Sequence, residues 1–156
     1  MGVNSHVPNA LIHTRPTTAL EAKFSLQFQM AIGVLERRAG IAQFADAKVQ
    51  DPRTQLLMER VHVHVDPEIE ALGYNEMRMT VQITLRDGRK LAGFADAAKG
   101  HPKKPMSRAD LREKFLDCAA LVIAVPEAES ALEHLWAIRQ IDRVADLTPM
   151  LVGTAP

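Results

Sequence analysis

Between residues 77 and 86, apolar and polar positions alternate without a break. Met77, Met79, Val81, Ile83 and Leu85 share one side, and Arg78, Thr80, Gln82, Thr84 and Arg86 share the other. Period-two alternation marks a half-buried strand. Asp87-Gly88 follows at once, the strongest hairpin-turn signal in the chain, because glycine takes up a left-handed backbone at no steric cost. The return strand is expected over residues 89–95. A shorter alternation, Val61-His62-Val63-His64-Val65, predicts another strand, closed by Asp66-Pro67. The result is a small antiparallel sheet with one apolar and one wet face.

The flanking segments carry helical spacing. Residues 18–38 conflict with themselves: apolar and polar residues alternate from Leu20 to Met30, yet the residue types favour a helix. The run is too long for an ordinary strand, so one helix is expected, capped by Thr17 or Thr18 and ended by Gly40. Its stripe would be Leu20, Phe24, Phe28, Ala31 and Leu35. Ala22, Leu26 and Met30 lie off that stripe and imply a second covered face. Asp51-Pro52 opens a shorter helix to about Arg60. Ser107 and Asp110 form a capping box ahead of a helix with the stripe Leu111, Phe115, Cys118, Ala119 and Val122. Pro126 starts another helix, with Ala128, Leu132, Leu135 and Trp136 inward, and a short helical stretch follows near residues 142–151. Residues 1–17 suggest an extended arm with a short strand at residues 10–13, and residues 18–156 a single domain. Helices, then strands, then helices predict an α+β fold, a two-layer sandwich of antiparallel sheet and helices.

Composition narrows the class of function. The 156 residues fit one domain and suffice to bury a core without a disulfide or metal. The 19 basic and 19 acidic residues cancel, which argues against a broad electrostatic surface for nucleic acid or anionic lipid. Lys103 and Lys104 leave room for a local basic patch. One cysteine, Cys118, cannot form an internal disulfide, and no signal-peptide or membrane-span pattern is present. A cytoplasmic, soluble protein is expected.

Candidate chemistry is sparse. His62 and His64, two apart on a strand, point the same way and could share a zinc ion; more simply, they decorate its wet face. Cys118 lies on an apolar stripe, where a thiol packs as a small hydrophobe rather than reacting as a nucleophile. The loop over residues 99–105, Lys-Gly-His-Pro-Lys-Lys-Pro, is cationic and ends at a helix N-terminus, which attracts anions. It could contact an anionic substrate, a domain or a subunit, or be a solvated connection. Arg15 and Lys23 could bind a carboxylate and Ser25 could donate to one; the plainer reading is surface charge. There is no phosphate loop, nucleophile elbow, CxxC pair or HExxH, so no complete active site is written in motifs.

Four segments resemble a known family. They are RPTTALEAKFSLQF (residues 15–28), DPRTQLLMERVHVHVDPEIEALGY (51–74), VQITLRDGRKL (81–91) and KGHPKKPMSRADLREKFLDCA (99–119). In order and with natural spacing, they are similar to the carboxy-terminal part of MmgE/PrpD proteins, the 2-methylcitrate dehydratase-like enzymes. The combination of EAKFS with GHPxxPMSxxDLxxKF carries most of the specificity. The resemblance implies action on small polycarboxylates by dehydration, decarboxylation or epimerisation, without metal or organic cofactor. It also implies a homodimer, and an active site between a helical domain and an α+β lid.

The family's lysine and histidine acid/base groups lie mostly in the helical domain, and no position here matches their motifs. Phe28 stands where the family often has a tyrosine. The resemblance therefore implies no catalytic residue in this chain, and a substrate wall with Lys23, Ser25 and His101 as candidates. Three readings follow: a truncated lid without turnover, a subunit of a split enzyme completed by a separate helical chain, or a non-enzymatic binding or assembly module. Loss of a helical partner should also expose apolar surface and favour a homo-oligomer.

Overall fold

The structure, a computed structural model, describes residues 1–74 and 77–152. The chain divides into two compact units, Met1–Lys104 and Pro105–Pro156. The first contains β1 (Gly2–Val3), α1 (His6–Ala10), α2 (Ala19–Lys23), α3 (Leu26–Glu36), α4 (Asp46–Val49), α5 (Pro52–Met58), β2 (His64–Val65), α6 (Pro67–Ala71), β3 (Met79–Thr84) and β4 (Lys90–Ala95). The second contains α7 (Arg108–Ala119), α8 (Val125–Trp136) and short 3-10 turns. The class is α+β, as expected.

The four strands form one sheet in the order β2-β1-β3-β4. β3 and β4 make the expected antiparallel hairpin, with Thr84 opposite Lys90 and Met79 opposite Ala95. Gly88 sits at φ +85 in the turn, and Asp87 Oδ1 accepts from the Arg89 N–H at 3.0 Å. The sheet is mixed rather than wholly antiparallel, because β1 runs parallel to β2. Sequence reading missed β1, which is only two residues long and pairs with segments more than sixty positions away. The strand expected at residues 10–13 is not formed: α1 ends at Ala10, and the His13 N–H donates to the Phe24 carbonyl at 3.0 Å.

β1 leaves no room for a side chain at Gly2. A Cβ there would lie 2.6 Å from Thr80 Oγ1 and 2.9 Å from Asp66 Oδ2. Val3 is fully buried in a cluster with Val7 and Leu26, against which Val63 and Met79 pack. Asp66, expected only to close a strand, also caps α6 by accepting from the Glu68 and Ile69 N–H groups. Glu70 of α6 then accepts from both the N–H and the hydroxyl of Ser5, each at 2.7 Å, which ties the start of the chain to α6.

The single helix expected over residues 18–38 is two helices. Phe24 leaves the helical path, and Ser25 is extended and caps α3 by accepting from the Phe28 N–H at 3.1 Å. The break resolves the conflict in the pattern. Ala22, Phe28, Ala31 and Ile32 join Val49 and Met58 in one core, while Leu26 enters the β1 cluster. Both sides of α3 are covered, as the off-stripe residues implied, whereas Leu20, Phe24 and Leu35 of the expected stripe are exposed. The left-handed residue that ends α3 is Arg37, at φ 55, and not Gly40. The Phe28 and Phe44 rings lie 5.3 Å apart, a tilted pair suited to a packed core.

In the second unit the Ser107–Asp110 capping box is present in both directions. Ala128, Ala131 and Leu132 of α8 are buried with Ile123 and Leu147. Arg112 pairs with Glu129 across the two helices, and the Arg108 guanidinium lies 4.6 Å from the Trp136 ring centre. Cys118 is exposed, which corrects the reading of it as core. It borders an open apolar depression of about 440 Å³ with Leu111, Phe115, Leu132, Leu135 and Trp136, so the stripe of α7 is only partly covered.

Two measurements check this description. The backbone and hydroxyl of Ser5 hold the Glu70 carboxyl below its ordinary value of 4.5. A carboxylate depressed by folding contributes its stability in full above the unfolded value and loses it as pH falls through the folded one. The protection of the Ser5 amide, the slowing of its exchange relative to the intrinsic rate at the same pH, should therefore fall as pH drops below the ordinary carboxylate range, and Glu70→Gln should remove the dependence. Cys118 should react stoichiometrically with a thiol reagent in the native state; protection until unfolding would contradict the exposed α7 face.

Candidate functional site

The cationic loop is a defined turn. The Lys104 N–H donates to the His101 carbonyl at 2.7 Å, and Pro102 occupies the second position, where its fixed φ suits a β-turn. Gly100, at φ +95, turns the chain back so that its N–H reaches the Lys104 carbonyl at 2.9 Å. His101 Nδ1 accepts from the Lys103 N–H at 3.1 Å, which leaves the neutral ring's proton on Nε2.

This turn and the end of β4 enclose an open depression of about 330 Å³, lined by Phe94, Asp96, His101, Lys103 and Lys104 with Ala95 and Ala97. Two lysines and an imidazole donor outweigh one carboxylate. That carboxylate, on Asp96, is already paired with Arg78 Nε at 2.5 Å. The arrangement suits a small anion with an apolar edge that can lie against Phe94. It is shallow and solvated, so each charge acts weakly and depends on ionic strength.

The other candidates lie at the α2–α3 junction. Lys23 is exposed in the last turn of α2, and its carbonyl accepts from Gln29 Nε2 at 3.3 Å. Ser25 is fully buried and spends an oxygen lone pair on its cap. Just before it, the Thr17 N–H, 2.7 Å from Glu21 Oε2, holds that carboxyl below its ordinary range. Arg15 is taken up by Gln55 and Glu59, at 3.2 and 3.1 Å. Neither Lys23 nor Ser25 is among the residues that line the His101 depression.

His62 and His64 are exposed while Val61 and Val63 are half-buried, as expected of a wet face, but Val65 is exposed too and the strand expected over residues 61–65 is reduced to His64–Val65. Among the described residues, no three His, Cys, Asp or Glu side chains converge as a metal site would require. No helix among them is long and apolar enough to cross a membrane.

Phe94, Asp96 and Arg78 were missed as lining or second-layer residues. A signal existed. Once Asp87-Gly88 fixes the hairpin register, Phe94 must stand opposite Thr80, an aromatic on the wet face and 72% exposed.

A family model described as the MmgE/PrpD C-terminal domain matches residues 3–138. Cis-aconitate decarboxylase of Homo sapiens is 25% identical over 152 residues, covering 96% of this chain and 31% of the relative. Cis-aconitate decarboxylase of Mus musculus is 25% identical over 138 residues, covering 88% and 28%. The chain thus spans about a third of the length of these relatives.

The two candidate regions should respond differently to mutation. Ser25→Ala removes a buried cap and should cost about 1–2 kcal/mol, visible as a lower urea midpoint. His101→Ala, on an exposed turn, should stay within about 0.5 kcal/mol of the unmodified chain in the same titration.

Proposed function

Since the chain belongs to the MmgE/PrpD family and carries its C-terminal domain, we propose that it forms the lid and substrate wall of a lyase or isomerase acting on a small polycarboxylate. The match across residues 3–138 carries this reading, and the cationic His101 depression lies within the matched region. Both relatives are named for decarboxylation of cis-aconitate, a tricarboxylate. Cis-aconitate, 2-methylcitrate and their kin each present several carboxylates that a wall of lysine and imidazole donors can hold.

In this reading His101 and Lys23 meet substrate carboxylates. Ser25 holds the junction that carries Lys23, and its hydroxyl proton is the group it can offer. Proton removal beside a carboxylate requires a positioned base together with stabilisation of the developing charge. The acid and base groups come from a helical domain facing this wall. These 156 residues are inactive without it and use no metal or organic cofactor. The protein works in the cytoplasm as a homo-oligomer and engages neither nucleic acid nor membrane.

The test is a mixing experiment. The purified chain is assayed on cis-aconitate and 2-methylcitrate alone, then with the helical domain of a family member added in trans. We expect no turnover alone and measurable turnover in the mixture, with His101→Ala raising KM by about tenfold, the size of one weak charge contact. Ligand binding without turnover in any mixture would favour a binding or assembly module. Turnover by the chain alone, abolished by one point change, would overturn the proposal.

A further inference from the structure

On the wet face of the sheet, a second open depression of about 430 Å³ adjoins the His101 one, and Phe94 lines both. Gly2, Thr80 and Phe94 stand side by side across β1, β3 and β4, and Gln82 and Ala92 form the next pair on that face of the hairpin. Strand alternation puts Ala92, Phe94 and Asp96 on one side of β4. The two depressions therefore make one trough along this strand. From Ala92 to Asp96 it runs roughly 13 Å at the ordinary strand rise.

The middle of the trough is aromatic, and the end away from the turn is rich in unspent polar groups. The Phe94 ring is 72% exposed, with only the small Ala92 beside it on β4. Thr80 Oγ1 and Asp66 Oδ2 overhang the Gly2 backbone, where a Cβ would lie 2.6 and 2.9 Å from them. Asp66 commits Oδ1 to the α6 cap and keeps Oδ2 for this rim. Among the described residues, the Thr80 hydroxyl and the Gln82 amide make no hydrogen bond. An exposed phenylalanine alone needs no explanation. One on a sheet face, next to free donors and acceptors, is a platform on which a flat ring stacks while its edge is read.

The turn end has the opposite chemistry. His101, Lys103 and Lys104 offer donors there, and the one carboxylate, on Asp96, is already neutralised by Arg78. The trough thus takes an anion at one end, a flat ring in the middle and uncharged polar groups beyond it. A small polycarboxylate uses only the first of these.

We infer that this trough binds a nucleoside monophosphate, with its base on Phe94, the base edge at Gln82 and Thr80, and its phosphate at the His101 turn. Gln82 favours adenine, whose N6 and N7 match the acceptor and donor of one carboxamide. The extended nucleotide is comparable in length with the trough. A longer nucleic-acid strand is disfavoured, because the chain is neutral overall and lacks the basic stripe that tracks a backbone. The inference does not rest on the polycarboxylate reading, but it adds a consequence to it: phosphate and substrate carboxylate contend for the same turn.

The test is an amide-shift titration of the full chain, with no polycarboxylate present. The probes are adenosine 5′-monophosphate, adenosine and ribose 5-phosphate. The monophosphate should bind with Kd below about 1 mM and shift residues 80–82, 92–96 and 101–104 together. Adenosine should shift only the Phe94 end and ribose 5-phosphate only the turn, each binding at least about tenfold more weakly. Phe94→Ala should weaken the monophosphate about tenfold or more and leave ribose 5-phosphate unchanged. Lys104→Ala should weaken both phosphates by about threefold and leave adenosine unchanged. Both positions are exposed, so the variants should fold as the unmodified chain does. Monophosphate binding no tighter than that of ribose 5-phosphate would overturn the proposal, and so would a monophosphate affinity indifferent to Phe94→Ala.

Discussion

Two residues of β1 join segments that sequence separation keeps far apart. Gly2 sits where a side chain would collide with Thr80 and Asp66, and Val3 is fully buried in one cluster with Leu26 of α3, against which Met79 of β3 packs. The segment after α5 is drawn in beside it, with the His64 N–H on the Met1 carbonyl and the Asp66 N–H on the Val3 carbonyl. The ladder ends in a cap, because Asp66 goes on to start α6, and Glu70 of α6 reaches back to Ser5. The Asp96 end of the hairpin is therefore held through β3 to β1, and the loop bearing His101 starts from a supported strand rather than a free arm.

What the sequence discloses here is local. The β3–β4 hairpin could be read from alternation and one Asp-Gly step, because both signals act within a few residues. The Ser107 capping box and the Asp51 cap were legible for the same reason. β1 was not, since two residues carry no period and their partners lie elsewhere in the chain. The α2–α3 break illustrates a different failure. Alternation over residues 20–30 was neither strand nor noise; it was the trace of a helix interrupted so that Leu26 and Phe28, two apart, serve two clusters. A buried serine in the middle of a helical pattern was the available clue, because Ser competes for backbone hydrogen bonds and favours caps. Cys118 shows the limit of stripe arguments. Periodicity tells which residues share a face, not whether anything covers it.

The candidate site divides along the same line. His101 and its lysines were visible as a charged, proline-framed loop. The residues that turn this loop into a concave surface, Phe94 and Asp96, come from the neighbouring strand and depend on register. Lys23 and Ser25 belong to the α2–α3 junction, and the burial of Ser25 makes it a structural support for Lys23 before it is anything else.

A wall of this kind constrains chemistry by what it supplies. Exposed lysine and imidazole groups can hold carboxylates, but a solvated group gains little from preorganisation, whether it acts as donor or as base. Strong catalysis needs the charge to be desolvated and faced by a base at fixed distance, which a shallow depression open to water cannot arrange. In the proposed reading, placing binding groups on one surface and acid/base groups on another makes closure a condition of reaction, because closure both desolvates the substrate and brings its base. In that reading, the turn braced by Pro102 and Gly100 holds the cationic residues in one geometry for a substrate.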